Sequence, residues 1–179
     1  MVQQLPTVAS GSLVAAWSMT CDADSSYAQV GWWKDDGWTN PYYFYEYNYE
    51  PTGNWYTYDL GQATFGSNNN FKVGCDSTKM YFIINSITYG TVNLSSIPFT
   101  RSWVQLLAET QNTDDRCPGT VTNPVSFGSA QYKNTSNTWV SATCPNAGDL
   151  GQGYGDLSTM RNNISSSGST NWEIWDSRN

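Results

Sequence analysis

The chain has 179 residues, enough for a single domain, residues 1–179, to bury its own core. Aromatics make up 15% of it and Asp, Glu, Lys and Arg only 13%, which excludes a disordered tail, a coiled coil or a long solvated helix. Fifteen acidic residues against eight basic ones give a net charge of −7, which repels a phosphate backbone and sets nucleic acid aside as a partner.

Read in order, the chain opens on MVQQLPTVASGS, which lacks the charged and then apolar pattern of a leader, so it reads as a mature domain. Period-two patterns rich in aromatic and β-branched residues then predict strands at 27–33, 41–49, 55–60, 71–75, 80–85, 87–92 and 103–110, with two more at 125–132 and 138–142. Turn clusters separate them, among them Asp35-Asp36-Gly37, Pro51-Thr52-Gly53-Asn54 and Gly66-Ser67-Asn68-Asn69-Asn70. Residues 146–170 are rich in Gly, Ser and Asn and are expected to form a long loop before a last apolar piece, Trp172-Glu173-Ile174-Trp175. Many short strands at this spacing predict an all-β fold, an antiparallel sandwich or jelly roll of two stacked, concanavalin-like sheets. No apolar run approaches the roughly 18 residues of a membrane span, so no membrane partner is expected.

The chain contains no histidine. That removes Ser-His-Asp and Cys-His catalysis and the usual zinc constellations, and leaves carboxylates, amides and hydroxyls to do any chemistry. No cofactor and no metal are expected; the acidic turns at Asp22, Asp24, Asp35 and Asp36 lack the ligand run of a calcium loop. Cys21, Cys75, Cys117 and Cys144 stand far apart without a CxxC spacing, which points to two disulfides and, with the scarcity of lysine, to a secreted protein. Cys117 and Cys144 flank the loops after the 103–110 strand and are the expected pair, leaving Cys21 with Cys75.

Two strands carry more than fold information. Alternation places Tyr27, Gln29, Gly31 and Trp33 on one face of the first, so an amide projects among aromatic or bare positions. In Trp103 to Thr110 it places Gln105, Leu107 and Glu109 together, so a carboxylate is presented from a mostly apolar strand.

AQVGWW, at Ala28 to Trp33, resembles the segment that carries the catalytic Gln of the eqolisin glutamic peptidases. VQLLAE, at Val104 to Glu109, resembles their AEFIIE-type strand, whose second Glu is catalytic; the family's first Glu falls on Gln105 and its second on Glu109. YYFYEYNYE, at Tyr42 to Glu50, resembles their WYEWYPE-type strand, with Glu46 at the position of the cleft glutamate. The neprosin peptidases show an EAGW-type and a GGEV-type motif in the same order, and their tqMGSG-type segment is similar to Asp115-Arg116-Cys117-Pro118-Gly119. The resemblance spans roughly residues 13–132 and departs from the neprosins at Gln29, where they carry Glu, and from the eqolisins at Gln105.

What the resemblance implies is an acid-acting endopeptidase with a Gln29/Glu109 dyad, active on polypeptide as a monomer. Glu109 would take a proton from water and later return it to the leaving nitrogen, while the Gln29 amide, neutral at every pH, would hold the oxyanion and orient the water. Gln105 and Glu46 would contact substrate, together with Trp33. Either Tyr43, Tyr45 and Tyr47 or the opposite face with Phe44 would line the groove, and alternation alone leaves that choice open. Two other readings fit a small β-sandwich with many Trp and Tyr: a lectin-like carbohydrate-binding module stacking sugars on Trp32, Trp33, Trp38 and Trp55, or a catalytically silent homologue.

Overall fold

The computed structural model describes residues 5–22, 25–64, 66–142, 160–162 and 171–179. Thirteen strands are assigned in them: β1 (Leu13–Cys21), β2 (Tyr27–Asp35), β3 (Tyr42–Tyr49), β4 (Asn54–Gln62), β5 (Phe71–Cys75), β6 (Lys79–Ile84), β7 (Ile87–Asn93), β8 (Trp103–Thr110), β9 (Val125–Phe127), β10 (Gln131–Lys133), β11 (Trp139–Ser141), β12 (Met160–Asn162) and β13 (Trp172–Asp176). One turn of 3₁₀ helix, Glu50–Thr52, joins β3 to β4 and is closed by Gly53 at φ 64°.

Strands β4-β3-β2-β1-β8 form a five-stranded antiparallel sheet, and β5-β6-β7 form a three-stranded one. The two stack as a sandwich. From the large sheet Val14 and Ala16, Ala28, Val30 and Trp32, and Tyr43 and Tyr45 point inward; from the small sheet Met80, Phe82, Ile84 and Val92 meet them, with Ile97 and Phe99 from the following loop. The alternation of β6 is complete, with Met80, Phe82 and Ile84 buried and Lys79, Tyr81 and Ile83 turned the other way. Each of its three buried side chains contributes about 2 kcal/mol of apolar transfer. The β6–β7 hairpin closes through Asn85 and Ser86, both at positive φ (50° and 69°), the backbone of a type I′ turn whose twist suits flanking strands.

Strand β1 is absent from the strands expected from the sequence. Leu13–Cys21 places Ala15 and Ala16 side by side and buries residues on both faces, so it lacks the apolar/polar alternation that betrays a half-exposed strand. It is nonetheless the strand that separates β2 from β8. The expected strand at 125–132 is split into β9 and β10 around Gly128 and Ser129, the latter at φ 55°. Of the expected 146–170 loop, Met160–Asn162 form a strand paired with β13, and the remainder lies outside the described residues.

A smaller core of Cys117, Val125 and Ile174 lies where β9 and β13 pair. Beside it, the buried Asp115 carboxylate accepts four hydrogen bonds: from Ala9 N (2.7 Å) on one oxygen, and from Ser12 Oγ (2.5 Å), Gln111 N (2.9 Å) and Asn112 N (2.8 Å) on the other. It thereby ties the segment that enters β1 to the loop that leaves β8. Arg178, paired with Asp176 at 2.7 Å, donates to the carbonyl oxygens of Thr113 and Asp115 and clamps the same loop from the C-terminal side. The segment Asp115 to Gly119 is therefore a structural staple.

The cysteines depart from expectation. Cys21, Cys75 and Cys117 are free thiols, and Cys144 lies outside the described residues. Cys21 alternates with the core positions Val14 and Ala16, so its side chain leaves the sheet on the face opposite β5, the strand that ends in Cys75. Disulfide geometry requires Cβ atoms that face one another, and this pair does not offer it. Burial and the neighbouring Asp22 push the Cys21 thiol upward, which keeps it protonated and unreactive.

Candidate active site

The outer face of the large sheet is built by rows of residues directly opposite one another, which in an antiparallel sheet project to the same side. One row runs Gln105, Met19, Gln29, Glu46 and Thr57 across β8, β1, β2, β3 and β4. The next runs Leu107, Trp17, Gly31, Phe44 and Asp59, and the one beyond begins Glu109, Ala15, Trp33 and Tyr42. The alternation read from the sequence thus holds in both strands, and Gln29, Glu46, Gln105 and Glu109 share one face.

Within the first row Glu46 is the hub. Its carboxylate accepts hydrogen bonds from Gln29 Nε2 (3.0 Å) and Tyr27 Oη (2.5 Å) on Oε1, and from Thr57 Oγ1 (2.5 Å) on Oε2. Glu46 and Gln29 are both only 8% exposed, and three donors satisfy the buried carboxyl oxygens of Glu46. Burial and the bond to Glu46 hold the Tyr27 phenol well above its ordinary value, so it remains a donor; the indole of Trp55, reaching the same hydroxyl, acts in the opposite sense. The direct Gln29–Glu46 bond fixes the amide's orientation, with its nitrogen toward Glu46.

Glu109 stands two rows, that is four residue pairs, beyond Gln105 along β8, on the edge of the sheet, half-buried. Burial raises its carboxyl above the usual carboxylate range, a hydrogen bond with Gln111 partly offsets this, and repulsion from Glu46 adds to the rise. The Tyr27 phenol also feels the Glu109 charge. Glu109, Glu46 and Tyr27 therefore occupy one electrostatic field, while the hydrogen bonds join Gln29 to Glu46. In the row between, the Trp17 indole N–H is the buried side-chain donor that finds no partner among the described residues.

Gly31 explains how the strands fit here. A methyl group on it would lie 2.0 Å from the Ala16 carbonyl oxygen and 2.7 Å from Trp17 Cα, both backbone atoms of β1. Only a bare position lets β1 press so closely on β2. Gly31→Ala is expected to separate the two strands and cost about 3 kcal/mol, read as a lower urea midpoint at unchanged slope.

The remaining expected contacts divide by face. Trp33 is on the outer face, its Nε1 donating to Asp59 Oδ1 at 2.8 Å and its ring edge-on to Trp38 at 4.9 Å. Phe44 shares that face but is buried, 6.2 Å from the Trp33 ring. Tyr45 was expected in the groove and is instead in the core, stacked on Phe82 at 4.5 Å. Gly90 makes room for it, since a methyl group there would meet the Tyr45 ring at 2.4 Å. Tyr43 lies in the same core and Tyr47 packs against it, so the groove-facing choice falls to Phe44 and Glu46. Among the described residues no three Cys, Asp or Glu cluster closely enough to hold a metal ion.

No protein-family model and no curated protein matches the sequence. Among solved structures, the crystal structure of aspergilloglutamic peptidase from Aspergillus niger matches with a TM-score of 0.60 at 17% identity, covering 92% of this chain and 98% of that one. The fold is that of a glutamic peptidase. This agrees with the eqolisin resemblance of the three sequence motifs, two of which lie on β2 and β3 and the third on β8. Strand β1, which carries none of the motifs, stands between the two strands that carry Gln29 and Glu109.

Proposed function

We propose that this chain is a secreted endopeptidase that acts in acid, with Glu109 as general base and then acid and Gln29 as the amide that orients water and stabilises the oxyanion. The observation that carries the reading is the shared face: an oriented amide and a half-buried carboxyl of raised pKa, on a glutamic-peptidase fold, in a chain without histidine. In this mechanism the Glu109 carboxylate takes a proton from water as the water oxygen bonds to the scissile carbonyl carbon. The oxyanion is held by Gln29, and the protonated Glu109 returns its proton to the amide nitrogen as the C–N bond breaks. Glu46 is a positioning residue that holds the Gln29 amide.

Secretion rests on the acidic, lysine-poor composition, and the free thiols at Cys21, Cys75 and Cys117 add nothing to it. The glycan-stacking alternative draws less support: of Trp32, Trp33, Trp38 and Trp55, Trp32 is in the core, Trp33 and Trp38 pack on each other, and only Trp55 is open to solvent. Digestion of a denatured protein across pH 2 to 7 tests the peptidase reading. Cleavage is expected in acid and should resist chelators, serine reagents and pepstatin, with Glu46→Gln weakening it by about tenfold, less than any change at Glu109. Folded protein that cuts no denatured substrate at any of these pH values would overturn it.

A further inference from the structure

Directly beyond the Gln29–Glu46–Thr57 row, the outer face ends in a row that runs Trp103, Cys21, Tyr27, Asn48 and Trp55, from one edge strand to the other. Its two ends are the tryptophans. Trp55 is 66% exposed and Trp103 53%, on a residue type that normally buries most of its ring. Nothing in the packing of the sandwich accounts for either, because the core lies on the other side of the sheet. Trp55 stands in the same row as Tyr27, whose hydroxyl donates to Glu46 Oε1, which also accepts from Gln29 Nε2.

We infer that the exposed face of Trp55 is a specificity subsite, which takes a large apolar or aromatic side chain of an extended polypeptide within one or two residues of the bond to be cut. Trp103 forms the opposite rim. Same-face neighbours on a strand are about 7 Å apart, which is also the repeat of same-side side chains in an extended peptide. Trp55 lies one row along and two strands across from Gln29, about 12 Å between Cα atoms, a span that the ~7 Å repeat closes together with the reach of the indole and of a large substrate side chain. Stacking there desolvates both groups, and the pairing of β2, β3 and β4 fixes the ring's position relative to the Gln29 amide. An acidic side chain is disfavoured at this subsite, since Glu46 and Glu109 already concentrate negative charge on the face.

The inference rests on the peptidase reading, and two assays keep the failures apart. In the first, a peptide series varied as Phe, Leu, Ala or Asp next to one cleavage site is digested by the wild type, Trp55→Thr, Trp55→Phe and, as a distant aromatic control, Trp139→Ala. The wild type should prefer Phe and Leu over Ala by about tenfold in kcat/KM, through KM. Trp55→Thr, which retains a good strand former, should erase that preference, while Trp55→Phe and Trp139→Ala keep it within about threefold. An unchanged preference in Trp55→Thr overturns the subsite and leaves the peptidase standing. In the second assay, fluorescence anisotropy follows binding of the labelled Phe and Ala peptides to Glu109→Gln, with and without Trp55→Thr. Selective binding of the Phe peptide that needs Trp55, together with a wild type that cuts none of the series, sustains the subsite and refutes the peptidase. Absence of peptide binding, or a Trp55-dependent affinity for an oligosaccharide in its place, overturns the subsite.

Discussion

Glu109→Gln is expected to lower peptide hydrolysis by about a thousandfold or more while leaving the fold intact, because the substitution keeps the size of the side chain and removes its ability to exchange a proton. The same substitution has a stability signature that follows from the raised carboxyl. A group whose pKa is higher folded than unfolded binds its proton more tightly in the native state, so the native state is favoured below the unfolded value. That advantage is lost as pH rises through the interval between the unfolded and folded values. Above that interval the wild type carries a desolvated carboxylate facing Glu46, and the glutamine variant does not. Thermal melts should therefore show Glu109→Gln more stable than wild type at pH 7 and level with it at pH 3. Activity should follow the same titration: a base that must also act as acid works best near its own pKa, so the rate should peak in acid and fade towards neutrality. A variant that loses activity and also melts lower at pH 7 would argue that Glu109 is structural.

The second large effect belongs to Asp115. Its carboxylate is an acceptor for Ala9 N, Ser12 Oγ, Gln111 N and Asn112 N, and it is buried to within 1%. Asp115→Ala leaves four donors facing a cavity, and a hydrogen bond to a charged group is worth about 1.5–3 kcal/mol, although such losses do not add in full. A destabilisation of about 4 kcal/mol is expected, a large part of the 5–15 kcal/mol that holds an ordinary domain together. Asp115→Asn should fare little better, because its amide NH₂ turns donors towards donors. Guanidinium or urea titration reads both. The effect reaches the site as well, since the staple fixes where β1 begins and β8 ends, and Ala15 and Glu109 pair one step inside those ends.

Gln29 and Glu109 were legible because each sits in a strand whose other face is apolar: Ala28, Val30 and Trp32 behind the first, Val104, Leu106 and Ala108 behind the second. Period-two alternation decides such a strand without help. It could not decide β3, where Tyr42 to Tyr49 are aromatic on both faces; only the opposing sheet, with Phe82 and the gap at Gly90, selects Tyr45 for the core. Strand β1 was missed for the same reason in reverse, being covered on both faces by small and apolar residues. The hub role of Glu46 depends on Thr57, from a strand paired with β3, and on Tyr27, one row away, which are tertiary facts that no single segment records. The expected Cys21–Cys75 pairing rests on elimination, which says nothing about which face of a strand a thiol leaves from.

The strand order carries a consequence in time. Strands β1 to β4 are neighbours both along the chain and across the sheet, so Gln29 and Glu46 are brought together by a hairpin, a process of microseconds. Strand β8 can reach β1 only after the chain has passed through β5, β6 and β7, and closing so long a loop is entropically costly and slow. Pulse-labelled hydrogen exchange during refolding should accordingly protect the amides of β2 and β3 before those of β8. Under the proposed dyad, a nascent or half-folded molecule holds the amide but lacks the base, and it cannot cut its neighbours during the interval in which it is itself an unfolded substrate.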